Sequence, residues 1–176
     1  MTSVPEFRIF FALWPSPQVR EALQQVAMTC ELPVNSRRVP EYNLHMTLHF
    51  IGNVSLDQRD CLSERAGHVR ADSFEMKVAL TGCFEKPKVA WLGLQSCPAE
   101  LQLLQQKLGI SLQHCGYQPE SRPYNPHVTI MRKTRRIPDG SGFEPVIWPV
   151  TQFTLINSRS TSQGVRCEVM KSYDLE

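Results

Sequence analysis

No stretch of this sequence approaches the ~20 consecutive apolar residues of a membrane span. Its opening residues, 1–14, also lack the basic segment and long apolar run of an export signal. A cytoplasmic protein without membrane attachment is expected. The six cysteines, Cys30, Cys61, Cys83, Cys97, Cys115 and Cys167, form no C-x-x-C pair and no Cys/His group at zinc-finger spacing. That argues against a zinc module, and the cysteines read as reduced, mostly buried thiols. Charge of one sign is scarce: a formal net charge of +2 does not describe a protein that coats nucleic acid indiscriminately, although it leaves room for a local basic patch. A Gly-rich phosphate loop and a nucleophilic-lysine motif are missing too, which removes the sequence grounds for ATP-dependent adenylation.

What remains is an ordinary globular composition, 41% hydrophobic and 20% charged, in a chain of 176 residues. Such a chain has material for a real core and the length of one domain, and two similar lobes sharing a cleft would also fit. Residues 7–14 form a short aromatic-rich apolar run that stops at Pro15-Ser16-Pro17. This reads as a buried strand meeting a helix entry, with Ser16 as cap and Pro17 at the first helical position. Val19, Leu23, Val26, Ala27 and Cys30 then recur at three- and four-residue steps, predicting an amphipathic helix that ends before Pro33. Residues 44–50 alternate strictly between apolar and polar, as a half-buried strand does, and Gly52-Asn53 closes it. A helix is expected from Ser55 to about Arg70, with Leu56, Leu62, Ala66 and Val69 facing inward.

Phe74, Met76, Val78 and Leu80 alternate again, and residues 89–94 make a second short strand, so that Lys86-Pro87-Lys88 turns a hairpin. Pro98 opens a helix carrying Leu101, Leu104, Leu108, Leu112 and Cys115 on one stripe, with Gly116 as its stop. Strands are expected at about 127–131, 150–157 and 165–171, and residues 133–149 read as a surface loop. The order is mixed α and β, with strands outnumbering helices.

One pattern occurs twice. Asn43-Leu44-His45-Met46-Thr47 and Asn125-Pro126-His127-Val128-Thr129 share Asn, His and Thr at identical spacing, each at an expected strand. Residues two apart in a strand point to the same face, so each motif presents an imidazole beside a hydroxyl while its intervening apolar residue enters the core. If a pseudo-twofold axis relates the two halves, the histidines flank one bound group and the threonines can grip its nonbridging oxygens. Such a pair suits phosphodiester hydrolysis. A base takes a proton from water on one side and an acid protonates the departing oxygen on the other, and histidine titrates where both states coexist. The chemistry requires no metal or other cofactor.

Paired H-x-T-x motifs of this kind resemble the two-histidine phosphoesterases, and the chain is similar to the bacterial RNA 2′,3′-cyclic phosphodiesterase, or 2′-5′ RNA ligase, family. The similarity extends through Arg8-Ile9-Phe10-Phe11-Ala12-Leu13, Phe50-Ile51-Gly52, Val89-Ala90-Trp91-Leu92-Gly93 and Arg122-Pro123-Tyr124 to Arg132, in order over most of the chain. It implies an α+β fold: a single two-lobed domain over residues 1–176, in a bilobal pseudo-twofold arrangement of two antiparallel sheets with outer helices and the active site in the central cleft. It implies hydrolysis of a terminal 2′,3′-cyclic phosphate to a 2′-phosphate, with His45 as proton donor to the leaving 3′-oxygen and His127 as proton acceptor from water. Motif symmetry alone does not choose between those two roles. Relatives also rejoin RNA halves through a 2′-5′ bond, so the implied partner is an RNA carrying a cyclic phosphate end, tRNA halves included, acted on by a monomer.

Thr47, Thr129 and Arg132 are the implied phosphate ligands. Arg132 stands five residues beyond His127, where strict alternation turns it away, so a bulge or the strand end must redirect it. His49, on the face of His45 and Thr47 if alternation holds, would crowd or extend the pocket. Phe11 and Tyr124 are candidate base-stacking contacts, weighed against core or cleft-wall packing. Lys133, Arg135 and Arg136 lie where an RNA backbone would leave the cleft, or else simply in a solvated loop.

Blander readings compete. An isolated H-x-T is commonly a strand histidine with an ordinary hydrogen bond, and only the pairing raises Thr47 and Thr129 above strand formers. His45 and His49 as a helical metal pair fails, because four residues of strand span roughly 13 Å. His68 and His114 read as surface or helix-end residues. The alternatives to the implied activity are a phosphodiesterase for another cyclic or 2′-5′ linked nucleotide and a non-catalytic RNA-end-binding module.

Overall fold

The computed structural model describes residues 7–136 and 142–176. Their elements run β1 (Phe7–Leu13), α1 (Pro17–Thr29), β2 (Arg37–Arg38), a 3-10 turn (Glu41–Asn43), β3 (Met46–Val54), α2 (Leu56–Ala66), β4 (Phe74–Phe84), β5 (Val89–Leu94), α3 (Ala99–Gln113), β6 (His127–Arg132), β7 (Val146–Val150), β8 (Gln152–Thr161) and β9 (Gly164–Asp174). The strands lie side by side in the order β7-β4-β5-β6-β3-β1-β8-β9, with β2 on β6, and every pairing is antiparallel.

This is the expected α+β architecture, with the two antiparallel sheets fused. One half is β3-β1-β8-β9 and the other β6-β5-β4-β7, and they meet through the paired residues Met46 and Val128. Each half repeats the same unit, two adjacent antiparallel strands joined by a helix: β1-α1-β3 and β5-α3-β6.

The helices form for the reasons the sequence shows. The Ser16 hydroxyl accepts from the Val19 N–H at 3.3 Å, and Pro17 follows in the first turn. Val19, Leu23, Val26 and Ala27 of α1 are buried, as are Leu101, Leu104, Leu108 and Leu112 of α3, all on one side of the sheet with Ile9, Phe11 and Leu13 of β1. Each valine, leucine, isoleucine or phenylalanine among them contributes about 1.5–3 kcal/mol by leaving water. On the other side of β1, Phe10 and Ala12 join Ile156 in a small separate cluster. The sheet therefore has a helix-covered face and a second, open face.

Four expectations need correction. Cys61 and Cys115 are joined in a disulfide, because α2 packs beside α3 and brings their Cα atoms to 5.9 Å. The remaining four cysteines are free. Leu56 at the start of α2 is exposed, and that helix buries Leu62 and Ala66. β3 does not close at Gly52. It runs on to Val54, with Ile51 left over between the pairs Ile9–Gly52 and Phe10–Phe50, and Gly52 takes a φ of +92° that a side chain would resist. Part of the expected loop 133–149 is strand β7. Val146, Trp148 and Val150 are buried in it, and Pro149 is tolerated because β7 is a sheet edge. Residues 137–141 of that loop lie outside the described residues, as do 1–6. No described helix is long and apolar enough to cross a membrane.

Candidate active site

His45 precedes β3 and His127 opens β6, at the seam between the two halves. The antiparallel pair Met46–Val128 fixes the local register. Extended by one residue each way, it sets His45 opposite Thr129 and Thr47 opposite His127. Residues facing one another across such a pair point to the same side. Met46 and Val128 are buried in the helix-side core, so the two histidines and two threonines project together onto the open face.

The two imidazoles are held alike. His45 Nδ1 lies 2.7 Å from the Asn43 carbonyl and His127 Nδ1 lies 2.7 Å from the Asn125 carbonyl. A carbonyl only accepts, so each Nδ1 carries the proton in the neutral ring and each Nε2 presents its lone pair outward. The shared asparagines thus act first through their backbone. Asn43 has a second task that the exposed Asn125 does not share. Its side chain donates to the Val165 carbonyl at 2.6 Å and accepts from the Cys167 N–H at 3.1 Å, tying the motif to β9.

The rings differ in what covers them. Phe10 lies 4.7 Å from His45 by ring centroids, and Trp14 stacks on it at 5.8 Å and 15°. Burial is the main reason His45 is lowered to about 4. The Asn43 carbonyl pulls against that fall, while the positive charges of Arg132 and His127 add to it. His127 is lowered too, by burial against the opposing pull of the Asn125 carbonyl. Its neighbours are Phe84, edge-on at 5.0 Å, and Trp91 at 6.3 Å. The Trp91 ring lies across two glycines: a Cβ on Gly82 would stand 2.1 Å from its Cζ2 and one on Gly93 2.6 Å from its Cζ3. Only glycine at both places leaves room for the indole, tilted 55° beside the His127 ring.

Strict alternation fails just after each motif. On β3, Phe11 pairs with His49 and Ala12 with Thr47, leaving Leu48 over; on β6, Ala90 pairs with Met131 and Trp91 with Thr129, leaving Ile130 over. Each bulge sends two successive residues into the core and returns the third to the open face. Arg132 is thereby redirected as the sequence demanded, near enough to act electrostatically on both His45 and Cys167.

The same device overturns the expectation for His49, which points into the helix side and is 4% exposed. There its Nε2 donates to the Gln105 carbonyl at 2.7 Å and its Nδ1 accepts from the Tyr117 hydroxyl at 3.1 Å. It neither crowds the pocket nor pairs with His45 around a metal. A cavity of about 610 Å³ on that side, lined by His49, Gln105, Gly109, Pro119, Glu120 and Tyr124 among others, contains neither motif histidine nor motif threonine.

The two stacking candidates are also displaced. Phe11 is fully buried among Phe153 and Tyr173, and its neighbour Phe10 is the ring on the open face. Tyr124 packs on the main core, and its hydroxyl donates to the Thr47 carbonyl at 2.9 Å, so it is a strut beneath the motif. Lys133, Arg135 and Arg136 are exposed, as are His68 and His114. Sequence reading missed Phe10, Trp14, Phe84 and Trp91 around the rings. It also passed over a signal that was present, since a tyrosine precedes the asparagine in both motifs, at Tyr42 and Tyr124.

The chain resembles known proteins in sequence and fold. Residues 15–160 match the model of the 2′-5′ RNA ligase superfamily. The chain is 30% identical over 172 residues to the RNA 2′,3′-cyclic phosphodiesterase of Escherichia coli K12, covering 96% of each. It is 29% identical over 184 residues to the Thermotoga maritima protein of the same name, again covering 96% of each. A crystal structure of E. coli LigT complexed with 3′-AMP superposes with a TM-score of 0.85 at 28% identity, over 97% of this chain and 99% of that one.

Proposed function

The chain belongs to the 2′-5′ RNA ligase superfamily, and from that premise we propose that it hydrolyses the 2′,3′-cyclic phosphate end of an RNA to a 2′-phosphate. In this reading residues 1–176 act as one two-lobed domain, with His45 as proton donor to the leaving 3′-oxygen and His127 as acceptor of the proton from water. Thr47, Thr129 and Arg132 hold the nonbridging oxygens. The observation that carries the proposal is the matched pinning of both Nδ1 atoms at 2.7 Å, which leaves two Nε2 atoms free on one face.

The electrostatics of this face make the donor dependent on substrate. Burial and two positive neighbours hold His45 down at about 4, so its ring is neutral near pH 7. A phosphodiester anion set between the rings opposes those effects and returns His45 toward its ordinary range. A proton taken up on those terms is readily given to the leaving oxygen, which suits His45 to the donor role. With a 5′-hydroxyl attacking in place of water and the same 3′-oxygen leaving, the same geometry joins two RNA ends through a 2′-5′ bond.

The test is hydrolysis, in EDTA, of a short RNA ending in a 2′,3′-cyclic phosphate, with the product end identified. Conversion to a 2′-phosphate is expected. A 3′-phosphate product would reverse the leaving oxygen, and absence of turnover would leave a binding module or another phosphodiester substrate.

A further inference from the structure

Strand β2 is only two residues long, yet it is firmly held. The Arg38 guanidinium donates to the Ala27 carbonyl and, at 2.7 Å, to the Cys30 carbonyl, both at the end of α1. The next residue, Val39, donates its N–H to the Ile130 carbonyl at 2.8 Å. Arg38 lies opposite Met131, which belongs to the helix-side core, so alternation turns Arg37 to the open face. Its strand partner agrees: Arg37 pairs directly with Arg132, which the β6 bulge also returns to that face. Two arginine side chains thus leave the sheet from Cβ atoms about 4.5–5.5 Å apart.

Like charges set directly across a strand pair are destabilising. Among the described residues no carboxylate pairs with either guanidinium and neither lies over an aromatic ring, although both are exposed. Arg159 and Arg166, which face one another between β8 and β9, make the contrast. There Glu168 stands 3.4 Å from Arg159, and Arg166 lies 5.2 Å from the centre of the Tyr42 ring. The pair on β2 and β6 has no such relief, and an uncompensated pair of guanidinium groups suits a ligand with two negative charges.

Arg132 accounts for one of them. It acts on His45 and stands at the end of the row that runs through His45 with Thr129 to Thr47 with His127, so it faces the reacting phosphate. In an RNA with a cyclic phosphate end, the nearest other anion is the phosphodiester on the 5′-oxygen of the same terminal nucleoside. We propose that Arg37 binds this adjoining phosphodiester, so that the two arginines clamp successive phosphates of the chain. The inference rests on the reaction proposed above and makes Arg37 a specificity residue, one that favours an RNA end over a free cyclic mononucleotide.

The test compares two ligands that differ by one phosphate, adenosine 2′-phosphate and adenosine 2′,5′-bisphosphate, with affinities measured by calorimetry at one salt concentration. The wild type should prefer the bisphosphate. Arg37→Gln should reduce the ratio of the two affinities about 10-fold, the low end for a charge-assisted hydrogen bond because both arginines are exposed. Arg37→Lys should keep part of the preference, since an ammonium still donates to phosphate as a point charge. In hydrolysis the same change of ratio should appear in kcat/KM between a dinucleotide ending in a cyclic phosphate and the cyclic mononucleotide. An unchanged ratio in Arg37→Gln overturns the clamp, and so does an equal loss of both ligands, which would mark only a general field at this face. Because the binding ratio needs no turnover, a wild type that hydrolyses no cyclic-phosphate end defeats the reaction assignment while the ratio still decides the role of Arg37.

Discussion

Strands β3 and β6 meet their neighbours in the same register, bulge at the same place and hold their histidines by the same carbonyl contact at the same 2.7 Å, yet they surround those histidines differently. His45 lies under Phe10 and Trp14 with Arg132 nearby, whereas His127 has Phe84 and Trp91, with Gly93 as its direct strand partner. Backbone symmetry places two equivalent groups on one face. Side-chain asymmetry then gives them unequal affinities for a proton, and unequal groups are what acid and base catalysis needs.

That comparison is most easily broken at the rings themselves. His45→Ala and His127→Ala should each lower kcat for the cyclic-phosphate RNA by about 10²–10⁴-fold, measured against the wild type in EDTA. A variant that kept most of its activity would show that its half contributes only a scaffold.

The next effect belongs to the bulge. Removing charge-assisted hydrogen bonds to phosphate by Arg132→Gln should cost about 10- to 150-fold in kcat/KM, from about 1.5–3 kcal/mol per such interaction. The same change removes a positive neighbour of His45 and should raise that ring's pKa, which NMR titration of the variant beside the wild type would reveal.

The pH profile sharpens the contrast between the halves. A donor must be protonated and an acceptor neutral, so kcat/KM follows the fraction of enzyme with His45 charged and His127 neutral, which is greatest between the His45 value of about 4 and the lowered value of His127. The optimum of kcat/KM should therefore lie on the acid side of 6.5. Trp14→Ala, which relieves the burial of His45, should raise that ring's pKa and leave that of His127 nearly in place, as read by NMR titration.

The smallest effect should be that of the strut. Tyr124→Phe removes the hydroxyl that satisfies the Thr47 carbonyl and should lower stability by about 1 kcal/mol in urea unfolding.

Sequence periodicity revealed the elements whose cause is local. The stripe of α1, its Ser16-Pro17 entry and the leucines of α3 are periodic in the chain, and the structure buries them as expected. The motif histidines and threonines were equally plain, because the pattern is written twice. Strand β7 was hidden by Pro149, whose tolerance depends on an edge position that only the sheet order reveals. The Cys61–Cys115 bridge depends on α2 packing beside α3 across 54 residues of sequence. His49 and Phe11 were misplaced for related reasons. A one-residue bulge inverts every later side chain, and two adjacent phenylalanines leave open which of them faces the core.

The most direct test replaces the 3′-oxygen of the cyclic phosphate by sulfur, because a thiolate departs without needing a proton. His45→Ala should hydrolyse this substrate at close to the wild-type rate, while His127→Ala should remain as slow as on the oxygen substrate. Rescue of His127→Ala, or of neither variant, would contradict the assignment of proton donor and acceptor to the two halves.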